Sequence, residues 1–425
     1  MQPPKRIVVA GCGIIGIMCA LELQRRACDV TVIDPRAPGE GCSFGNAGNV
    51  VAGAVVPFSL PGNLLKIPNW VLSPHGPLSI RLRRLPWLVP WLLQWLKASH
   101  PTNVRHISKA MHAMHAETFE LYLPLLRELG ESNLITKAGQ LYISRHAHGA
   151  EGDALSRALR AEAGIRVERL SGGQIRDLVP ALSREFCSGI LFPDNGMCAN
   201  PFRLVQVLAR AFVARGGVIQ RSAMVAVERN PEGGGTAILE SGGRLSYDGL
   251  VIAAGAWSNQ LAGIFGARVP LEAQRGYHVT LPEPGIKLDL AVAHCDFHCA
   301  ATSMEMGLRL TGTAEFAGLD AKPNWQHAKR LLKFGAQMFP SLQTTGAQQW
   351  VGMRPTLPDG LPVLDRAPSD RNVIFAFGNG SYGLTEAPMM ARLVAALAMN
   401  ERPSVDLSPF TLARFSGGAG GRVVP

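Results

Sequence analysis

The apolar positions are most regular over residues 6–34. Ile7-Val8-Val9-Ala10 predicts a buried strand, the run from 14 to about 26 a helix, and Val30-Thr31-Val32-Ile33 a second strand that ends on Asp34. This is a complete βαβ start. Residues 35–62 are then rich in Gly, Pro, Ser and Asn, the composition of a long loop that in a compact domain usually carries function. Helical periodicity follows over 104–130 and 151–164, and Asn200-Pro201 opens a helix over 201–216 with Leu204, Val207, Leu208 and Phe212 on its apolar side. Strands are predicted over 218–228 and 236–240, around the turn Asn230-Pro231-Glu232-Gly233-Gly234-Gly235, and a buried strand over 249–254 ends at Gly255. Residues 275–315 read as strands, 324–339 as a helix, 372–377 as a strand and 385–399 as a helix that follows a glycine loop. There is no internal repeat.

This order predicts an α/β chain, α+β overall. A Rossmann-like dinucleotide-binding domain is expected from 1–42, 201–269 and 351–425, with a sheet-based substrate-binding domain inserted as 43–200 and 270–350. The loop 43–48 is expected to reach back toward the cofactor. At 425 residues two connected domains are the natural size. The 47% hydrophobic and 17% charged content fits a well-packed protein with some excess apolar surface. The formal charge of +10 is scattered apart from Arg81, Arg83 and Arg84, so nucleic acid is not an expected partner. Eight cysteines without a CxxC pair suit reduced thiols. The N-terminus enters a strand without a signal-peptide pattern, and the apolar zone 85–96 is broken by Pro86, Pro90 and Gln94, short of the roughly 20 residues that span a bilayer. The expected location is the cytoplasm. Trp87, Trp91 and Trp95, with Arg81, Arg83, Arg84 and Lys97 beside them, read either as an interfacial membrane contact on the inner face of the cytoplasmic membrane or as a core- or dimer-facing stripe.

Gly11-Cys12-Gly13-Ile14-Ile15-Gly16 is G-x-G-x-x-G between a predicted strand and helix. Gly11 serves the tight turn, Gly13 lets backbone approach a pyrophosphate, and Gly16 permits close helix packing, while the helix N-terminus offers N–H groups to phosphate. Asp34, followed by Pro35 and Arg36, is placed to accept from an adenosine ribose. The motif alone does not separate NAD from FAD. Two later features favour FAD: the buried strand that closes on Ala254, Gly255 and Trp257, and the loop Gly378-Asn379-Gly380-Ser381-Tyr382-Gly383-Leu384-Thr385 before a helix, whose N–H groups suit the anionic side of a reduced flavin.

With these stand Cys42-Ser43-Phe44-Gly45-Asn46-Ala47-Gly48, Arg275-Gly276-Tyr277-His278, Arg309-Leu310-Thr311-Gly312-Thr313-Ala314-Glu315-Phe316, Gly352-Met353-Arg354-Pro355 and Pro358-Asp359-Gly360-Leu361-Pro362-Val363. In this order they resemble the D-amino-acid oxidase-like flavoproteins, and within them the D-amino-acid dehydrogenase small subunits and D-hydroxyproline dehydrogenases, over residues 5–410. The resemblance implies that Cys42, Ser43 and Asn46-Ala47-Gly48 line the pyrophosphate and flavin, that Val225 meets the adenine side, and that Gly380 to Thr385 meets the flavin ring. It implies that Arg354 clamps a substrate carboxylate, as a guanidinium fork does, with Tyr277 and His278 over the substrate. The reaction implied is oxidative deamination of a D-amino acid by hydride transfer to flavin N5, with electrons passed to a quinone or other non-oxygen acceptor. A D-hydroxyproline or proline-type imino acid, an O₂-using oxidase and a flavin-binding subunit without turnover are the alternatives.

The chain departs from relatives in this family at three positions. Ser381 stands where glycine-oxidase-like relatives carry a second arginine, no cysteine follows Arg354-Pro355-Thr356 as in chains that bind FAD covalently, and Asn379 replaces a common histidine. Non-covalent FAD is expected. The letters His294, Cys295, His298 and Cys299 suggest a metal site, but on one strand the histidines and cysteines face opposite ways, so no metal is expected.

Overall fold

The structure, a computed structural model, describes residues 4–64, 66–73, 76–230 and 233–415. Pro231 and Glu232 of the predicted turn, and the two ends of the chain, lie outside these. The first strand, Arg6–Ala10, is flanked in parallel by Asp29–Ile33 and Gly249–Ile252, with Val9 opposite both Val32 and Val251. Val218–Gln220 extends this sheet on one side, and Asp370–Phe377 with antiparallel Val363–Ala367 on the other, for six strands drawn from three stretches of sequence. The inner strands are apolar on both faces over 7–10, 249–252 and 373–377 because helices cover one face and a three-stranded meander with a short helix covers the other.

The helices Ile14–Arg25, Pro201–Ala214 and Gly383–Ala398 share one core, which Leu204, Leu208, Leu393 and Val394 fill from the last two. The helices Pro101–His115 and Thr118–Glu128 belong to that core as well, through Met111, Met114, Phe119 and Tyr122. Packing therefore crosses the sequence division, since 101–128 lies within the stretch expected to form the substrate-binding part. The predicted strand 218–228 is two strands: Val218–Gln220 joins the parallel sheet, and Met224–Arg229 turns away into an antiparallel meander with Gly235–Leu239 and Arg244–Tyr247.

A second, larger sheet runs in the order Gln348–Thr356, Glu272–Leu281, Gly307–Phe316, Cys299–Met304, Ala291–His294, Gln140–Ser144, Ser188–Phe192, Glu168–Ser171, with Leu78–Ile80 added beside Gly307–Phe316. The helix Gln326–Met338 covers one face by inserting Leu331, Phe334 and Met338 among Val279, Leu308 and Leu310. The opposite face of the first three strands is left for the site.

The region expected to be one strand over 292–302 is a hairpin. His294 pairs with Cys299 across it, and His298 takes the left-handed conformation (φ 49°) in its turn. His294 lies edge-on to Phe186, while Cys299 lies 3.9 Å from the Met338 sulfur. No group of three or more metal-ligating side chains occurs among the described residues.

Candidate active site

The end of the first strand and the helix after it are locked by close backbone approach. Gly11 has φ +123°, and a side chain there would meet the Ala253 carbonyl at 2.2 Å; one at Gly16 would meet the Gly11 carbonyl at 1.9 Å. No Cβ fits at either position, so the helix starts as near to the strand as backbone allows. Gly13 is the N-cap without a side-chain cap, and the first turn holds no acidic residue. The Ile14 N–H donates to the Ser43 hydroxyl (3.1 Å), which fixes the 42–48 loop over the helix start beside Ile15. Asp34 accepts from the Cys12 N–H through one oxygen and from the Arg36 N–H through the other, both at 2.9 Å. It retains further lone pairs toward the loop after Pro35. The Arg36 guanidinium stacks 4.3 Å over the Trp257 ring, next to the Ala254-Gly255 turn. Val225 stands on the meander with its side chain half exposed. A helix start whose N-cap is a glycine, a carboxylate at the neighbouring strand end and a cradle where Cβ atoms are excluded fit an anionic dinucleotide such as FAD.

The 42–48 loop connects this end to the second sheet. The Asn46 side chain accepts from the Gly48 N–H (2.8 Å), and Ala47 lies between them. The buried Arg309 donates through Nη1 to the carbonyls of Phe44 (3.1 Å) and Asn46 (2.8 Å). Burial lowers its pKa to about 10, which leaves it a cation at neutral pH; no carboxylate pairs with it among the described residues. His278 donates from Nδ1 to the Gly45 carbonyl (3.1 Å) and stacks on Trp350, ring centroids 4.9 Å apart at 17°. Burial first, then the Arg309 charge, lowers its pKa to about 3, so His278 is neutral and a poor base.

Arg354 extends across Gly276 of the neighbouring strand. A Cβ at Gly276 would lie 2.3 Å from its Nη2, so the glycine is what leaves the guanidinium its bed. Arg354 Nη1 donates to the Thr313 carbonyl (3.2 Å) and, at 3.5 Å, to the Gln274 amide oxygen. Thr313 is a β-branched residue held at φ 63°, a strain that persists where surrounding structure over-determines the backbone. No carboxylate pairs with Arg354 among the described residues; burial lowers its pKa, against a smaller raising by Cys42. The Cys42 thiol is raised by its own burial, and the charges of Arg354 and Arg36 oppose that. Cys42 thus lies between the two ends of the site.

The glycine loop before the last helix is stitched to the arginine strand by its backbone. Gly380 N–H donates to the Pro355 carbonyl (2.9 Å), and Asn379 forms a bridge with Thr356. Ser381 is exposed and Tyr382 and Gly383 half-buried, whereas Leu384 and Thr385 turn inward. Thr385 accepts from the Val51 N–H (3.1 Å), so what it and Leu384 offer to a ligand is the free N–H groups of a first helical turn rather than side chains.

Tyr277 is corrected. It lies on the opposite face of its strand from His278 and Gly276, inside the core under the helix Gln326–Met338. Its hydroxyl donates to Glu315 (2.6 Å) and accepts from the Asn324 N–H, so it does not stand over the space beside Arg354. Gln274, Thr313, Trp350 and Arg309 were not among the expected site residues. Strand alternation from Arg354 and from the Arg275-Gly276-Tyr277-His278 motif would have marked Gln274 and separated Tyr277 from His278. Nothing in the sequence marks the backbone of Thr313.

Residues 6–397 match the family described as DAO, FAD dependent oxidoreductase. The chain is 32% identical to a D-amino-acid oxidase of Bradyrhizobium diazoefficiens, over 98% of this chain and 100% of that one. It is 28% identical to a D-amino acid dehydrogenase of the same organism, over 97% and 99%. The fold is also that of glycine oxidase from Geobacillus kaustophilus, with TM-score 0.70 at 23% identity, covering 96% of this chain and 98% of that one. The glycine-turn helix start and the sheet that faces it are thus parts of a known fold, and the chain belongs to the DAO family of FAD-dependent oxidoreductases.

Proposed function

We propose that the enzyme oxidises the Cα–N bond of a D-amino acid, giving an imine that water hydrolyses to a 2-oxo acid. The observation that carries this reading is Arg354: a half-buried guanidinium without a carboxylate partner among the described residues, bedded on Gly276 and aimed from the strand that is bonded to the glycine loop. Thr313 and Gln274 occupy Nη1, which leaves Nη2 and Nε as the fork for a substrate carboxylate. FAD, when bound, supplies the hydride acceptor.

Gly11, Gly13, Ile14, Ile15, Gly16, Asp34, Pro35 and Arg36 would hold its adenosine and pyrophosphate, and Cys42 to Gly48 with Gly380 to Thr385 its ring. The chain's own contribution is orientation and field. The cations Arg354 and Arg309 disfavour a further positive charge, so the substrate amine binds in its neutral form, ready to lose hydride from its α-carbon. With His278 held neutral by burial, no strong base is supplied, and none is required. Both Bradyrhizobium diazoefficiens relatives are named as D-amino-acid enzymes, which supports the D configuration. A cyclic imino acid is a narrower form of the same chemistry.

The two relatives differ in acceptor, one being called an oxidase and the other a dehydrogenase. An acceptor other than oxygen is our reading, and the higher identity to the oxidase favours O₂ as the second; peroxide release during turnover in air decides between them. The substrate reading is tested by anaerobic flavin bleaching with a panel of D- and L-amino and imino acids, repeated with Arg354→Ala. Bleaching by D-amino acids, with affinity reduced by roughly 2–5 kcal/mol in the variant, is expected for loss of one partner of a buried charge pair. Absence of bleaching by every member of the panel, or a variant with unchanged affinity, overturns it.

A further inference from the structure

The helix Leu85–Ala98 is apolar on all sides: of its fourteen residues only Gln94 and Lys97 are polar. A helix of that kind is normally buried all round. Here one side is. Leu88, Trp91 and Trp95 pack with Trp70, Leu78 and Phe316, and the Trp91 indole N–H donates to the Thr356 carbonyl (3.4 Å), two residues from Arg354. The reading of Trp87-Trp91-Trp95 as a membrane-facing stripe is thereby corrected: Trp91 and Trp95 are 6% and 3% exposed, Trp87 46%. Steps of four residues drift about 40° each round a helix, which puts Trp87 at the margin of the buried side and Trp95 well inside it.

The face that does look outward is a different one. Leu85, Val89, Leu93 and Leu96 lie within about 80° of arc, and they are 41–61% exposed; Leu82 in the preceding turn is 84% exposed. Contiguous apolar exposure of this kind marks an interaction surface.

Charge selects the occupant. Residues 41–116 contain no Asp or Glu, although at the chain's average of 32 acidic residues in 425 such a stretch would hold about six; they contain seven Lys and Arg. Arg81, Arg84 and Arg105 are matched by Glu315, Glu272 and Glu162 from elsewhere. Arg83 and Lys97, exposed at the two ends of the helix, have no acidic partner among the described residues. In a symmetric dimer through this face, helices crossing antiparallel would bring Arg83 of one copy toward Lys97 of the other, like charge against like. An anionic lipid surface meets both cations and the apolar face at once. The helix is about 21 Å long, too short to cross a bilayer about 30 Å thick, and no helix among the described residues is long and apolar enough to cross one.

We propose that the outer face of Leu85–Ala98, with Leu82 and Arg83, docks the enzyme in the plane of an anionic membrane, leaves its inner face on the arginine strand, and so brings the active site beside the lipid surface. The proposal does not depend on which amino acid is oxidised. The test is sedimentation of the full-length holoenzyme with phosphatidylcholine vesicles containing 30% phosphatidylglycerol, and with phosphatidylcholine alone, at low and 0.5 M salt. Binding to the anionic vesicles only, reduced at least tenfold by salt, by Leu93→Glu with Val89→Glu, and by Arg83→Glu with Lys97→Glu, is expected. Turnover of a soluble amino acid should be unchanged in these variants, which shows that they fold. Failure to bind anionic vesicles overturns the proposal, as does binding that the variants leave intact. A dimer in sedimentation velocity that Leu93→Glu dissociates, without vesicle binding, assigns the face to a second copy instead.

Discussion

At the scale of single residues, the site is shaped as much by absent atoms as by present ones. Gly276 is the clearest case, because its missing Cβ is where the Arg354 guanidinium rests. In Gly276→Ala the clash is with the far end of a flexible side chain, so the fold should survive while the guanidinium is displaced. Melting temperature should hold within a few degrees, and kcat/KM should fall on the order of 10²-fold, the scale of a misplacement near 1 Å. An unchanged kcat/KM would mean that Arg354 does not orient the substrate. The close backbone approach at Gly11 and Gly16 and the place of Asp34 at the next strand end were legible in the sequence, because glycines at that spacing serve a tight strand-to-helix turn; Arg354 was singled out only through the resemblance to a family. Tyr277 misled because a motif was read as a unit although neighbouring strand residues face opposite ways.

At the scale of elements, the start of the helix Gly383–Ala398 is tied to the helix Pro101–His115 through buried polar groups. His115 donates from Nδ1 to the Ala54 carbonyl (2.7 Å), and its Nε2 is hydrogen-bonded to Glu386 (3.0 Å). The other Glu386 oxygen accepts from the Asn379 side chain (2.7 Å), within the glycine loop. All three residues are almost fully buried, so removing the carboxylate strands two partners at once. Glu386→Ala should cost roughly 3–5 kcal/mol in denaturant unfolding of the holoenzyme, with Glu386→Gln clearly milder because its amide still reaches both neighbours. Equal losses would show that packing, and not the polar link, holds the loop. Asn379 was noticed only as a departure from a common histidine; the network it joins reaches a helix 271 residues before Glu386, and no local pattern reports such a meeting. The same is true of residues 101–128, whose amphipathic periodicity was plain but whose burial against the dinucleotide-binding sheet follows from tertiary packing alone.

At the scale of the whole molecule, the second sheet and the helix that covers it hold three histidines that burial keeps neutral. Burial lowers His278 to about 3 and His294 and His327 to about 4, from the ordinary 6.5. Between pH 6.5 and those values the unfolded chain binds the more protons, so stability is full above about 6.5 and is lost as pH falls toward the folded values. Each histidine should cost about 2 kcal/mol at pH 5. Melting of the holoenzyme should therefore drop steadily from pH 7.5 to 5, less steeply in His294→Gln; a flat profile would show that these side chains become protonated in the folded state. The overall fold was readable because the strands near residues 6, 250 and 374 are apolar on both faces, as strands of a covered parallel sheet must be. The split of 218–228 between two sheets was not, since either half is equally good as a strand.

The backbone bonds from Gly380 to Pro355 and from Asn379 to Thr356 bear on how such a site diversifies. They set the spacing between the arginine strand and the glycine loop without using any side chain. On the proposed reading, replacement of the residues around Arg354 can alter which substrate is accepted, while the span from Arg354 to the glycine loop stays constant, built into the main chain. New specificities should thus arise by changes of wall, with the working distance inherited unaltered.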